Sequence, residues 1–337
     1  NQRTDIAGEE QDSLDLDAWS KSSLLKKSQY YIHQSLLNDV SKTESLNNYE
    51  SILSIGEDSV FMPTLFDFLA HHALDLYKDG SYGLLQFQST QGIDELFNPV
   101  DKFLKLKVDS FSSWAVFQKI LNYHKERKEA KLFLLTNLVR LRTVYDAYQT
   151  SQTTLDLYLK ALDEYYQSEK KNPYSAYILY DQLEIKQEIS MVENESNQED
   201  QKIKFQYTQI DSIADHILKL NPEASLRLKI SEIKNVLRRK EVSVKLESVV
   251  PIGKPFKSLV TYRNVFSQKF RLYKSENTDC KDFQPQWSEV DIKLLYKTKP
   301  YKEWTESWPQ SSDFKKHSVE LKIDGLQAGY YLLTSDS

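Results

Sequence analysis

The sequence predicts an α plus all-β protein of two domains, an irregular array of antiparallel helical hairpins followed by a β-sandwich. Three observations predict it. From about Trp19 to Lys240 the apolar residues recur at helical spacing. Near Glu241 the period changes to two. The 337 residues suffice for two cores, and 8 glycines are few for a loop-rich all-β chain. The expected boundaries are 1–18 as a disordered or extended segment, 19–240 as the helical domain and 241–337 as the sandwich.

The helices announce themselves in order. "DSFSSWAVFQKILNYHK" places Phe111, Trp114, Phe117 or Val116, and Ile120 or Leu121 on one stripe, with Asp109 or Ser110 as cap. "AKLFLLTNLVRLRTVYDAYQ" is apolar around most of its circumference, which implies cover on several sides. "SQTTLDLYLKALDEYY" offers Thr153 or Thr154 as cap and Leu155, Leu159 and Leu162 as seam. "NPEASLRLKISEIKNVLRRK" carries the clearest start signal, Asn221 as cap and Pro222 at the first helical position. Its Arg238, Arg239 and Lys240 suit the negative end of a helix dipole. The spacing of Tyr, Leu and Ala in "PYSAYILYDQLEIKQ" and "YTQIDSIADHILKLNPEASLRLKISEI" resembles tetratricopeptide repeats in degenerate form. A long connection is expected at "KDGSYGLLQFQSTQGIDELFNPVDKFLKLK", with a short helix near Ile93–Phe97. "MVENESNQEDQ" reads as a solvated loop.

The strand half alternates. Val242, Val244 and Leu246 share one face of "EVSVKLESVV", with Ser243, Lys245 and Glu247 opposite. "KPFKSLVTYRN", "QKFRLYK", "VDIKLLYK", "HSVELKIDG" and "GYYLLTSD" bring the expected total to six. A two-sheet sandwich follows from that density. Seven strands is the usual complement of the immunoglobulin-like type. The expectation is therefore a sandwich lacking its last strand, in a chain that continues, because an open sheet edge is an aggregation hazard.

Composition narrows the function. Lys plus Arg number 44 against 49 Asp plus Glu, a net charge of −5. Nucleic-acid affinity rests on a basic face that neutralises phosphates, so that class is disfavoured. No apolar run approaches the ~18 residues that cross a bilayer. The first 17 residues are polar and acidic and lack an initiator Met, which reads as removal of an upstream segment. The lone Cys280 leaves no internal disulfide and no thiolate metal set.

No constellation of catalytic groups stands out, and no cofactor is implied. The glycines never fall as G-x-G, and Gly253-Lys254 is followed by Pro255 where a phosphate loop needs Ser or Thr. There is no G-x-S-x-G and no H-E-x-x-H. His71 and His72 are adjacent, and helical neighbours point about 100° apart, so they do not readily grip one metal ion. The candidate interaction surface is aromatic: Trp287, Trp304 and Trp308, with Tyr301 beside them. The plainer reading is that a long connection uses these rings to pack onto the sandwich.

With those residues in view, the C-terminal half resembles the first macroglobulin-type domain of bacterial alpha-2-macroglobulin family proteins. "VVPIGKPFKSLVTYRNVFSQKFRLYK" and "LKIDGLQAGYYLLTSDS" carry the resemblance. The second holds an L-x-x-G-Y-Y-L-L pattern in Leu326, Gly329, Tyr330, Tyr331, Leu332 and Leu333. "MPTLFDFLAHHALDLYK" and "LFNPVDKFLKLK" are similar to the helical N-terminal region of the large forms from Bacteroidetes. The resemblance implies a protein secreted across the inner membrane, periplasmic or tethered to the outer membrane, that traps proteases when a bait region is cut. Its partners would be downstream domains of the same polypeptide and, through the whole protein, proteases. Some members use a Cys-x-x-Gln thioester. Here Lys281, Asp282 and Phe283 follow Cys280, so that motif is absent, and no bait region lies within these residues. The implied role is a non-catalytic N-terminal scaffold. The alternative is a helical-repeat adaptor whose sandwich binds protein or glycan.

Overall fold

The computed structural model describes residues 19–53, 62–78, 92–148, 152–195, 207–247, 249–274, 297–309 and 311–335. Helices fill the described part of the chain up to Arg238, and strands follow from Glu241. Two compact units divide between Gln182 and Leu183.

Unit 1 opens with α1 (Lys21–Ser35), α2 (Asp39–Thr43) and a 3-10 turn at Leu46–Tyr49. It continues with α3 (Leu65–Lys78), α4 (Ile93–Leu96), α5 (Val100–Phe103), α6 (Ser113–Glu126), α7 (Ala130–Tyr148), α8 (Gln152–Glu169) and the first residues of α9 (Ala176–Glu195). Ser112 caps α6 by accepting from the amide of Ala115, while Asp109 accepts from Phe111 in the preceding turn. The capping expectation at Asp109 or Ser110 is thus corrected by a few residues. Phe111 is correspondingly half-exposed, and Trp114, Phe117, Ile120 and Leu121 form the buried stripe. At α8, Thr154 is buried in the first turn of the helix and its hydroxyl donates to the Tyr148 carbonyl. The loop expected from Met191 starts later, because α9 runs to Glu195.

The near-uniform apolarity of α7 has a polar exception that holds the unit together. Arg140 is fully buried and lies with its guanidinium 4.4 Å from the Phe103 ring centroid. It donates to Asn137 Oδ1 at 2.9 Å, to the Asn98 carbonyl at 3.1 Å and to the Leu96 carbonyl. These carbonyls end α4 and enter α5, so one side chain supplies donors that two short helices cannot provide themselves. Burial pushes the guanidinium down to about 9.

Unit 2 contains α10 (Tyr207–Lys219), α11 (Ala224–Arg238) and the strands. Ile210, Ala214 and Ile217 of α10 and Leu226, Ile230 and Leu237 of α11 are buried. Lys234 lies 3.6 Å from Asp211 and also bonds Asp215, and Arg238 reaches Asp211 at 3.1 Å. Asn221 does not cap α11. It adopts a positive φ of 52° and its Oδ1 accepts from Arg227, so helical geometry starts at Ala224 after Pro222 and Glu223.

Six described strands form two antiparallel three-stranded sheets, in the orders β1-β2-β5 and β4-β3-β6. They are β1 (Glu241–Lys245), β2 (Phe256–Arg263), β3 (Ser267–Lys274), β4 (Lys302–Ser307), β5 (His317–Ile323) and β6 (Tyr331–Ser335). One core serves both sheets: Val260, Leu321 and Ile323 from the first meet Phe270 from the second, with Val242, Val244, Trp304 and Leu333 packed around them. The outer faces carry ion pairs, Lys257 with Glu320, and Lys269 and Arg271 with Glu303 at 2.8 Å each. The expected strand "VDIKLLYK" lies outside the described residues except for Lys297. β4 was not among the strands the sequence predicts; it comes from the stretch read as a connection.

The β2–β3 turn joins the sheets to the helices of this unit. Asn264 has φ 55° and donates through Nδ2 to the carbonyls of Leu237 at 2.7 Å and Arg239 at 3.0 Å. Arg263 donates to the Val236 carbonyl at 3.2 Å and pairs with Glu241 at 2.7 Å. The orphan carbonyls that end α11 are therefore capped by the turn that carries the chain from one sheet to the other. At the opposite end, Gly253 donates to the Leu326 carbonyl at 2.8 Å. A Cβ on Gly325 would fall 2.4 Å from the Gly253 carbonyl carbon, so only glycine fits there.

Phe270→Ala empties the centre of the shared core and is expected to lower the unfolding free energy of unit 2 by about 3–5 kcal/mol. Urea denaturation followed by tryptophan fluorescence measures this, and a loss below about 1 kcal/mol would contradict the core assignment.

Candidate functional site

Three places merit scrutiny: the aromatic stretch, a cleft on α7 and a buried cluster of ionisable groups. The aromatic stretch divides by strand parity. Trp304 shares a face of β4 with its cross-strand partner Phe270, the ring centroids 5.7 Å apart. Trp308 lies just beyond β4, where its amide donates to the Phe266 carbonyl at 2.8 Å. Its ring stacks on Tyr262 at 4.6 Å and meets Phe270 edge-on at 6.4 Å. Tyr301 is 51% exposed and touches Tyr331 edge-to-face at 5.5 Å. Trp287 lies outside the described residues. The structure therefore gathers Trp304 and Trp308 against the core and sets exposed Tyr301 against half-buried Tyr331.

The sequence misleads at β4 because "KEWTES" has a single apolar residue. Its alternation is legible only once Trp304 is read as inward and Glu303 and Thr305 as outward. Cross-strand charge helps, since Glu303 sits opposite Arg271.

The cleft is in unit 1 and has a volume of about 380 Å³. Met62, Leu135 and Val139 supply aliphatic wall, Tyr177 and Tyr180 phenol edges, and His71 an imidazole. Arg142 and Asp181 also reach it, each already engaged: Arg142 Nε with Asp146 at 2.9 Å, and Asp181 with the Tyr158 hydroxyl at 2.6 Å. That size and lining are those of a small-ligand or side-chain pocket. Its neighbour His72 is exposed and stacks on Phe68. Among the described residues no three His, Cys, Asp or Glu side chains are grouped to hold a metal.

The buried cluster centres on His124. The ring is fully buried, Nδ1 lies 2.8 Å from Glu129 Oε2, and Nε2 lies 3.4 Å from Asp67 Oδ1. Asp67 Oδ2 accepts from the Thr64 amide at 3.0 Å and hydroxyl at 2.7 Å. Burial pushes the Asp67 carboxyl above its ordinary range, against the pull of Thr64 and of His124. Burial also acts to raise Glu129, but hydrogen bonds from Arg127 and His124 outweigh it and hold that carboxylate low. Sequence reading passed over this cluster because its members are 57 and 5 residues apart from His124 and share no motif. His124 and Asp67 are fully buried, and the Glu129 side chain is 24% exposed.

Comparison with protein families finds no match, and comparisons with curated proteins and with solved structures find none either. Among the described residues no helix is long and apolar enough to cross a membrane.

Parity gives a discriminating expectation for the aromatics. Trp304→Ala should cost roughly 2–4 kcal/mol of stability, because the ring covers Phe270. Tyr301→Ala should change it by less than about 1 kcal/mol. Equal losses in urea melts of the two variants would contradict the inward and outward assignment.

Proposed function

We propose that this chain is a non-catalytic scaffold, the N-terminal helical and macroglobulin-type portion of a large envelope protein that traps proteases. In this reading the strands form an immunoglobulin-like sandwich of macroglobulin type, and the helices form an irregular tetratricopeptide-like array. The two segments with family-like sequence lie side by side in space, and that observation carries the reading. β2 pairs with β5 from Phe256↔Ile323 to Tyr262↔His317, and β3 pairs with β6 from Phe270↔Ser335 to Lys274↔Tyr331. Residues chosen only for pattern thus become neighbours in both sheets, as one shared module requires. The Gly329-Tyr330-Tyr331-Leu332-Leu333 run enters β6 through a glycine with φ 151°, and Leu333 joins the core.

A scaffold needs rigidity rather than reactive groups, and the capping of α11 by Arg263 and Asn264 supplies rigidity within unit 2. Protease contact and closure would belong to the whole polypeptide, in the periplasm or at the outer membrane. A second reading, a helical-repeat adaptor, draws support from the cleft on α7, which suits an apolar side chain of a partner protein.

The deciding experiment offers the full-length natural protein to an endoprotease and follows its activity on two substrates. Trapping predicts that hydrolysis of a large protein substrate falls sharply while hydrolysis of a small chromogenic peptide continues. The chain 1–337 alone should do neither. Equal loss on both substrates, or no loss on either, would count against the trap and favour the adaptor. Turnover of a substrate by this chain, abolished by changing one side chain, would overturn the non-catalytic assignment.

A further inference from the structure

The fully buried His124 has carboxylate oxygens facing both ring nitrogens, one from fully buried Asp67 and one from partly exposed Glu129. A neutral imidazole carries one N–H and can donate to only one of them. The two carboxylates sit on different elements, Asp67 on α3 and Glu129 in the turn between α6 and α7. The ring therefore bridges α3 to the α6–α7 hairpin. Nε2 of His124 and Oδ1 of Asp67 face each other at 3.4 Å and neither makes a hydrogen bond among the described residues, whereas Asp67 Oδ2 is satisfied by Thr64.

Charge balance points the same way. Arg127 Nε lies 2.8 Å from Glu129 Oε1 and offsets that carboxylate. The Asp67 carboxyl is then left with the His124 ring as its cationic or proton-sharing neighbour. Tyr123 flanks the ring at 5.3 Å, its hydroxyl donating to the Lys42 carbonyl at 2.7 Å, and burial pushes that phenol up. Among the described residues, Asp67 on α3, Tyr123 on α6, Arg127 at the C-cap of α6 and Glu129 in the turn are the ionisable groups that face His124 or its carboxylates.

We propose that one proton is held between His124 Nε2 and Asp67 Oδ1, and that this proton fastens α3 to the α6–α7 hairpin, so that the helical unit loosens as pH rises. Two arrangements satisfy it, an imidazolium beside a carboxylate or an imidazole beside a carboxyl, and both hold the same proton count. The raised Asp67 carboxyl has the matching sign. A carboxyl whose folded value exceeds its unfolded one stabilises the fold at low pH, and that stabilisation is lost as pH climbs through the folded value. The depressed Glu129 acts in reverse, its contribution being lost as pH falls through its folded value. α3 is then held most firmly between those two limits. Release would uncover Phe66, Ala70, Ala73 and Leu74, all buried on α3. The clasp is a pH-sensitive latch on an apolar helix face.

Amide hydrogen exchange across a pH series, with rates normalised for intrinsic base catalysis, tests this on the intact protein. Between the value the proton has in the open state and the higher value it has in the closed one, opening of Leu65–Lys78 should rise by up to about tenfold per pH unit, the slope for one released proton, and level off above the closed-state value. Opening of α8 in the same unit should stay flat. Asp67→Asn places an amide donor where the proton would sit, so it should abolish the rise in α3. A flat wild-type profile at α3 overturns the proposal even if the variant fails to fold. A rise that persists in a folded Asp67→Asn protein also overturns it.

Discussion

The pairing of β3 with β6 beside Phe270 is the constraint on which the strand half depends. Phe270 is fully buried, and both strands that flank β3 contribute to its surroundings: Trp304 stacks on it from β4, and Leu333 of β6 completes the core. Among the described residues β3 is the only strand of its sheet with a neighbour on each side. Without β6, one row of β3 amides and carbonyls would lose its partners, and Leu272 would lose its cross-strand partner Leu333. The contact is long-range, because β3 and β6 are separated by 56 residues along the chain.

The helical half solves a different problem, that of polar groups in the interior. Arg140 shows one solution: a guanidinium satisfied, among the described residues, by carbonyls and an aromatic face. His124 shows another, an imidazole between two acids. Both side chains connect elements distant in sequence, Arg140 holding α4 and α5 against α7, His124 holding α3 against the α6–α7 turn. Replacing a single partner leaves a buried polar atom unpaired, which costs more than an intact bond contributes. Such arrangements give the unit a defined geometry rather than a large surplus of stability.

Much of this architecture is legible in the sequence, and the omissions have physical causes. Helical spacing marks α6 and α8 because one stripe of each is packed, near-continuous apolarity marks α7 because it is covered on several sides, and the switch to period two marks β1, β2, β3 and β5. Caps are less legible, since several Ser, Thr, Asn and Asp residues often precede a helix and tertiary contacts select among them. Asn221 illustrates this: Arg227 draws its side chain into a turn with positive φ, and α11 starts three residues later. β4 escapes because an edge strand with one inward Trp and charged neighbours looks like a connection. The His124 cluster and the cleft on α7 are assembled from separate helices, so no local pattern can reveal them.

Amide exchange along β6 in the intact chain probes the register directly. The account predicts that alternate amides between Tyr331 and Ser335 are protected to the same degree as the interior amides of β3, and that strong exchange protection vanishes from both strands together. Amides of β6 exchanging at the rate of an exposed loop while β3 stays protected would contradict it. The two resembling segments would then not be joined in one sheet, and the scaffold reading would lose its structural support.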